Sequence, residues 1–181
     1  MSSLYFYRNF AESIMTNKTL KKLIKMKNLK SLVLVAIVAL FSNFASAQNV
    51  DPINKEGVAI GGYDVVSYFS ANKATKGSSK FVVEQNGAKY YFASAKNQKA
   101  FKANPKKYLP ACDGYCAWGV SEKGTKFPIN PETYKIVNGK LYLFFDGDYN
   151  GSNFNTLTEW NKDEAKQLKN IDAAWKKVKK S

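Results

Sequence analysis

Apolar residues change their spacing repeatedly along this chain, and each change marks an element. Phe81-Val82-Val83-Glu84-Gln85 and Ala88-Lys89-Tyr90-Tyr91-Phe92 flank the dipeptide Asn86-Gly87. Asn-Gly accepts the two positive φ values of a type I′ turn, so the segment reads as strand, turn, strand. The same grammar returns in Tyr134-Lys135-Ile136-Val137, Asn138-Gly139 and Lys140-Leu141-Tyr142-Leu143-Phe144-Phe145. Shared turn chemistry accounts for the likeness, and two hairpins do not make a repeat architecture.

Helical signals lie before, between and after the hairpins. Gly61-Gly62-Tyr63-Asp64 offers a turn and an N-cap, followed by one or two helical turns carrying Val65, Val66, Tyr68 and Phe69. Ser70 to Ser79 reads as loop. Ser94 caps a helix through Phe101 that stops before Asn104-Pro105, since proline disfavours helical geometry in the residue before it. Pro110 to Asn130 and Asp146 to Asn155 read as loops. Thr156-Leu157-Thr158-Glu159 has the form of a capping box opening a helix over 156–179. Leu157, Trp160, Leu168, Ile171, Trp175 and Val178 share one face of that helix at a 3.6-residue period, interrupted at Glu164. The stripe is expected to be core, and Trp160 and Trp175 to be packing residues rather than ligand platforms. Gly61, Gly62 and Gly77 stand outside any dinucleotide or phosphate-loop pattern and read as turn glycines. The expected fold is α+β: a small single domain with two antiparallel β-hairpins, short helices and a C-terminal amphipathic helix.

The first 47 residues follow a different pattern. A lysine-rich stretch, residues 21–30, precedes an apolar run from Ser31 to Phe41 and then Ala45-Ser46-Ala47. Cationic region, apolar region and small-residue cleavage site together predict a secretory signal over 1–47. The 11-residue run falls short of the roughly 18 needed to cross a bilayer, so no stable membrane anchor is expected. Met26 to Ala47 is already a complete signal, which leaves Met1 and Met26 both available as starts. The chain is expected to be exported, to a periplasm or the extracellular space, as a domain over 48–181.

Charge and composition narrow the chemistry. The 181 residues include 28 Lys and Arg, 14 Asp and Glu and no His. Imidazole bases, shuttles and ligands are thereby excluded, and with them Ser-His-Asp and Cys-His catalysis; no catalytic residue is predicted. From Gln48 onward there are 21 lysines, 13 acids, no Arg and no Met. Arginine is the preferred residue for bidentate phosphate and guanine recognition, and lysines scattered over polar faces read as a solvated surface, so no nucleic-acid partner is expected.

Candidate chemistry concentrates in Pro110-Ala111-Cys112-Asp113-Gly114-Tyr115-Cys116-Ala117-Trp118-Gly119-Val120. Cys112 and Cys116 are the only cysteines, and their spacing leaves three readings open. In an oxidising compartment they form a short-loop disulfide. As a labile dithiol they exchange with a redox partner, although the Cys-x-x-Cys spacing is absent. As two thiolates they hold a soft metal ion, copper(I) rather than zinc, which needs four N/S ligands.

Gly61-Gly62-Tyr63-Asp64-Val65-Val66-Ser67-Tyr68-Phe69, Asn86 through Ser94, Ala100 through Tyr108 and Gly114 through Val120 together resemble an exported YHS-domain protein. The resemblance runs from about Gly57 to Phe145. It implies a small TRASH-like binding or accessory module, with copper as the implied cofactor. The exported branch resembles this chain in a cysteine at Cys116. In metal-binding relatives a Cys-x-x-x-Cys pair follows the tyrosine-rich strand, where this chain has Ala93 and Asn97, and the upstream ligand cysteine is missing around Tyr63-Asp64. Tyr63, Asp64, Tyr115 and Trp118 are candidates to line a neighbouring pocket. The partner implied is a metal ion or a redox protein.

Overall fold

A computed structural model describes residues 49–180. The predicted signal segment and its cleavage site lie outside the described residues. After a 3-10 turn at Ile60–Gly62 come α1 (Ser67–Ser70), β1 (Ser78–Gln85), β2 (Ala88–Phe92), α2 (Ala95–Ala103) and α3 (Pro105–Tyr108). A second 3-10 turn, Ala111–Gly114, leads into α4 (Ala117–Lys123). The chain continues with β3 (Asn130–Val137), β4 (Lys140–Phe144), β5 (Asp146–Tyr149), β6 (Ser152–Asn155), α5 (Thr156–Lys162) and α6 (Glu164–Val178). Six helices and three two-stranded antiparallel sheets make an α+β domain.

Both expected hairpins form around their Asn-Gly turns, with Gln85 opposite Ala88 and Val137 opposite Lys140. A third hairpin replaces the loop expected at 146–155. Its tip is again Asn-Gly: Asn150 and Gly151 have φ of 55° and 80°. Its strands, Asp-Gly-Asp-Tyr and Ser-Asn-Phe-Asn, contain no β-branched residue and only two aromatics, so periodicity is silent there and the turn alone sets the pairing. β1 also starts at Ser78, inside the expected 70–79 loop.

The helices depart from expectation at their ends. Ser94 caps α2 as predicted, its Oγ accepting from the Asn97 N–H at 3.1 Å. The last helix, expected as one element, is two. Asp163 breaks it with φ −153° and caps α6 by accepting from Lys166 N. Nor does Thr156 cap α5. Asn155 does, accepting from Leu157 N and Thr158 N, which frees the Thr156 hydroxyl to bond the Phe145 backbone. The expected 110–130 loop contains α4, bounded by Cys116 and a left-handed Gly124 at φ 62°. Gly119 hides this helix from propensity arguments: a Cβ there would stand 2.7 Å from the Phe127 ring, so packing requires a residue that helices disfavour.

One contiguous core joins these elements. Phe101 of α2 is fully buried between Tyr90, Phe92 and Tyr108, with ring centroids 5.2, 5.1 and 6.5 Å away. Trp160 of α5 is fully buried against Tyr142 and Phe144 of β4, and its indole N–H donates to Glu164 at 2.9 Å. Ile171 and Val178 are buried, while Leu157, Leu168 and Trp175 are partly so, which makes the predicted stripe a packing face. Gly77 is not a turn glycine. Any Cβ there would come within 2.7 Å of the Phe92 nitrogen, so glycine permits the backbone of β2 to approach.

Candidate functional site

Cys112 and Cys116 sit at the two ends of a tight corner. Pro110 leads into it, and Cys112, Asp113 and Gly114 follow with φ of 54°, 50° and 91°. Two successive non-glycine residues in the left-handed region cost about 1–2 kcal/mol each, so surrounding contacts must hold them there. The Tyr115 N–H donates to the Cys112 carbonyl at 3.0 Å, and Asp113 pairs with Lys179, beyond the end of α6, at 2.8 Å. Both partners of that ion pair are well exposed, so it adds little.

Both thiols are free and buried, Cys112 at 6% exposure and Cys116 at 0%. Cys116 is the N-cap of α4. Its Sγ accepts from the Gly119 N–H at 3.4 Å and lies 3.2 Å from the Thr156 hydroxyl, while its own N–H donates to the Phe127 carbonyl. Burial pushes the Cys112 thiol up to about 12. Lys140 opposes that shift, and Asp172, Asp113 and Cys116 add to it. At neutral pH Cys112 is therefore a thiol, not a thiolate.

The other candidate residues have separate surroundings. Asp64 is fully buried and saturated: Oδ1 accepts from Val66 N at 2.9 Å, and Oδ2 accepts from Ala93 N at 2.9 Å and Asn97 Nδ2 at 2.7 Å. Sequence reasoning gave it the role of a helix N-cap. Instead it forms an Asx-type turn with its first oxygen and ties α1 to the start of α2 with its second. Asp64, Ala93 and Asn97 thus converge here as a hydrogen-bonded lock. With a carboxylate, a backbone N–H and an amide as its groups, it offers a soft metal no sulfur donor.

Tyr63 donates to Glu132 at 3.1 Å and lies under Lys76, whose ammonium is 4.1 Å from the ring centroid. Burial, then the bond to Glu132, raises the Tyr63 hydroxyl to about 12, and burial lowers Lys76. No local sequence signal marks Lys76 or Glu132, because their relation to Tyr63 spans separate elements. Tyr115 faces Trp175 at 6.1 Å, and Trp118 meets Phe154 at 5.4 Å. Tyr63 and Asp64 share none of these partners with Tyr115 and Trp118. A cleft of about 580 Å³ does open between α4 and α6, lined by Val120, Ser121, Lys169, Ala173 and Lys177 among others; none of the four residues borders it.

Among the described residues no three His, Cys, Asp or Glu side chains gather in a metal-binding group. A tetrahedral zinc site does not fit this donor set. Two thiols fit a soft ion content with two ligands, and copper(I) is such an ion. No described helix is long and apolar enough to cross a membrane.

No curated protein and no solved structure matches the chain. One family does, over a shorter stretch than the resemblance from Gly57 to Phe145 suggested. From α1 through the first hairpin, α2 and α3 to the first cysteine, residues 66–112 match the family model of the YHS domain.

Proposed function

We propose that this chain is a small exported binding module without catalytic groups, and that its Cys112/Cys116 corner takes one copper(I) ion. The observation that carries the reading is a pair of buried, uncrosslinked thiols on a single strained turn, in a chain from residue 49 onward that has no His or Met to compete for a soft ion. Cys112 and Cys116 would hold the ion, each thiol losing its proton to water as its sulfur binds. The ion would supply soft Lewis-acid character and nothing that the chain itself lacks for folding. Because Cys112 is raised to about 12, uptake by proton exchange should grow stronger as pH rises.

The test is a titration of the reduced chain with copper(I) against a chromophoric chelator. One ion bound per chain, lost in both Cys112→Ser and Cys116→Ser with their folds intact, is the expected result. No uptake, together with a Cys112–Cys116 disulfide that reduces readily, assigns the pair to thiol exchange. A disulfide of very negative potential, whose removal lowers stability alone, ends both readings.

A further inference from the structure

Residues 49–180 hold 21 lysines against 13 acids, and that excess is not spread evenly. Between Gln85 and Cys112 there are six lysines and no acid, so 28 residues carry +6 of the net +8. Five of the six, Lys96, Lys99, Lys102, Lys106 and Lys107, are exposed and lie on α2 and α3. The sequence reading of lysines scattered over polar faces is therefore corrected at this face. Of the sixteen lysines elsewhere, five find acids: Lys135 with Glu164, Lys140 with Asp172, Lys162 with Glu159, Lys166 with Glu122 and Lys179 with Asp113. None of the five on α2 and α3 has an acid within 4.0 Å among the described residues.

Helix stability does not account for the arrangement. Lys96, Lys99 and Lys102 stand three apart, so each is the helical neighbour of the next, and like charges at that spacing repel. Lys96 also occupies the first turn of α2, where the helix dipole disfavours a cation and no acid is present. An external anion would relieve the repulsion. Discrete phosphate recognition would use arginine forks, and nucleic-acid strands would use exposed rings for stacking. This face has neither, since the large exposed apolar side chains are Ile53 and Tyr149, both on other segments. Five point charges along two consecutive helices instead suit a broad, diffuse layer of negative charge.

We propose that the α2–α3 lysine face docks on an anionic phospholipid bilayer. Attachment is peripheral, because the face carries no large exposed apolar side chain to insert, and it weakens steeply with salt. Co-sedimentation of the chain beginning at Gln48 with vesicles of phosphatidylcholine containing about a third phosphatidylglycerol tests this. Binding is expected to these vesicles, to be absent for pure phosphatidylcholine, and to disappear near 0.5 M salt, where charges are screened within roughly 4 Å. The triple variant Lys99→Glu, Lys102→Glu, Lys106→Glu should bind roughly a hundredfold more weakly or worse, at about fivefold per lysine lost. Lys169→Glu, Lys176→Glu, Lys177→Glu, with the same net charge but an intact α2–α3 face, should lose much less. Equal losses in the two triples, no binding to anionic vesicles, or tighter binding to a single-stranded DNA oligonucleotide would each overturn the proposal. Thermal melts of both triples exclude unfolding as the cause, all six lysines being at the surface.

Discussion

Asp64 shows how much one side chain can hold. Its carboxylate serves three donors from two segments and is wholly removed from water, so Asp64→Ala leaves the Val66 and Ala93 N–H groups and the Asn97 amide without their acceptor. A loss of about 3 kcal/mol or more is expected in urea unfolding, and a loss under 1 kcal/mol would remove the lock from any structural role. Only half of this was legible in sequence. Aspartate after Gly-Gly-Tyr announces an acceptor for a nearby N–H, but nothing local tells that its second oxygen reaches a residue 29 positions on. Cys112 makes a prediction of a different kind. Its proton is bound more tightly in the folded chain, about 12, than at the ordinary thiol value of 9.0. Stability is thus complete below pH 9 and falls as pH climbs from 9 toward 12. Tyr63 and Tyr90, also raised to about 12 from 10.0, act with the same sign but enter only above pH 10. The urea midpoint of the native chain should fall more steeply between pH 9 and 10 than that of Cys112→Ala, in which only raised tyrosines contribute; parallel curves would refute the assignment.

Elements were readable where a turn signal and apolar periodicity agreed, and lost where only one was present. The first two hairpins had both. The third had its Asn150-Gly151 turn but strands too polar to show alternation, and α4 had neither a strong cap residue nor an uninterrupted helical composition. Gly151→Ala tests the weight of the turn. At φ 80° an added Cβ strains the backbone although the space around it is open, so the cost should be about 1 kcal/mol and localised to β5–β6, measured by amide exchange. The break at Asp163 was legible as an irregularity near Glu164, but its cause was not. Asp163→Ala removes the cap of α6 and should cost about 1 kcal/mol in thermal unfolding, unless the two helices fuse into one.

For the whole molecule, the sequence carries the fold class and a segment that matches the YHS family model while concealing geometry. The α+β reading and the YHS segment emerged from local motifs, which the chain carries in order. The candidate site did not, because pairing Tyr63 with Glu132, or Cys116 with Thr156, depends on contacts 69 and 40 positions apart. Charge was legible in part: counting along the chain locates the excess between Gln85 and Cys112, and the structure adds that five of its lysines lie exposed on α2 and α3. If the cysteine corner takes copper(I), free ion at a hundredfold excess over its dissociation constant should stabilise the fold by about 2.7 kcal/mol, an increase that Cys116→Ser abolishes. The hairpin tips carry one more consequence. All three expose an asparagine followed by glycine, Asn86, Asn138 and Asn150, and glycine offers the least hindrance when its nitrogen attacks the preceding side-chain amide. Ammonia leaves, a carboxylate replaces the amide, and the strand connection can gain a backbone atom. Stored preparations should accordingly age into a ladder of more acidic isoforms on ion exchange, each rung recording one spent tip.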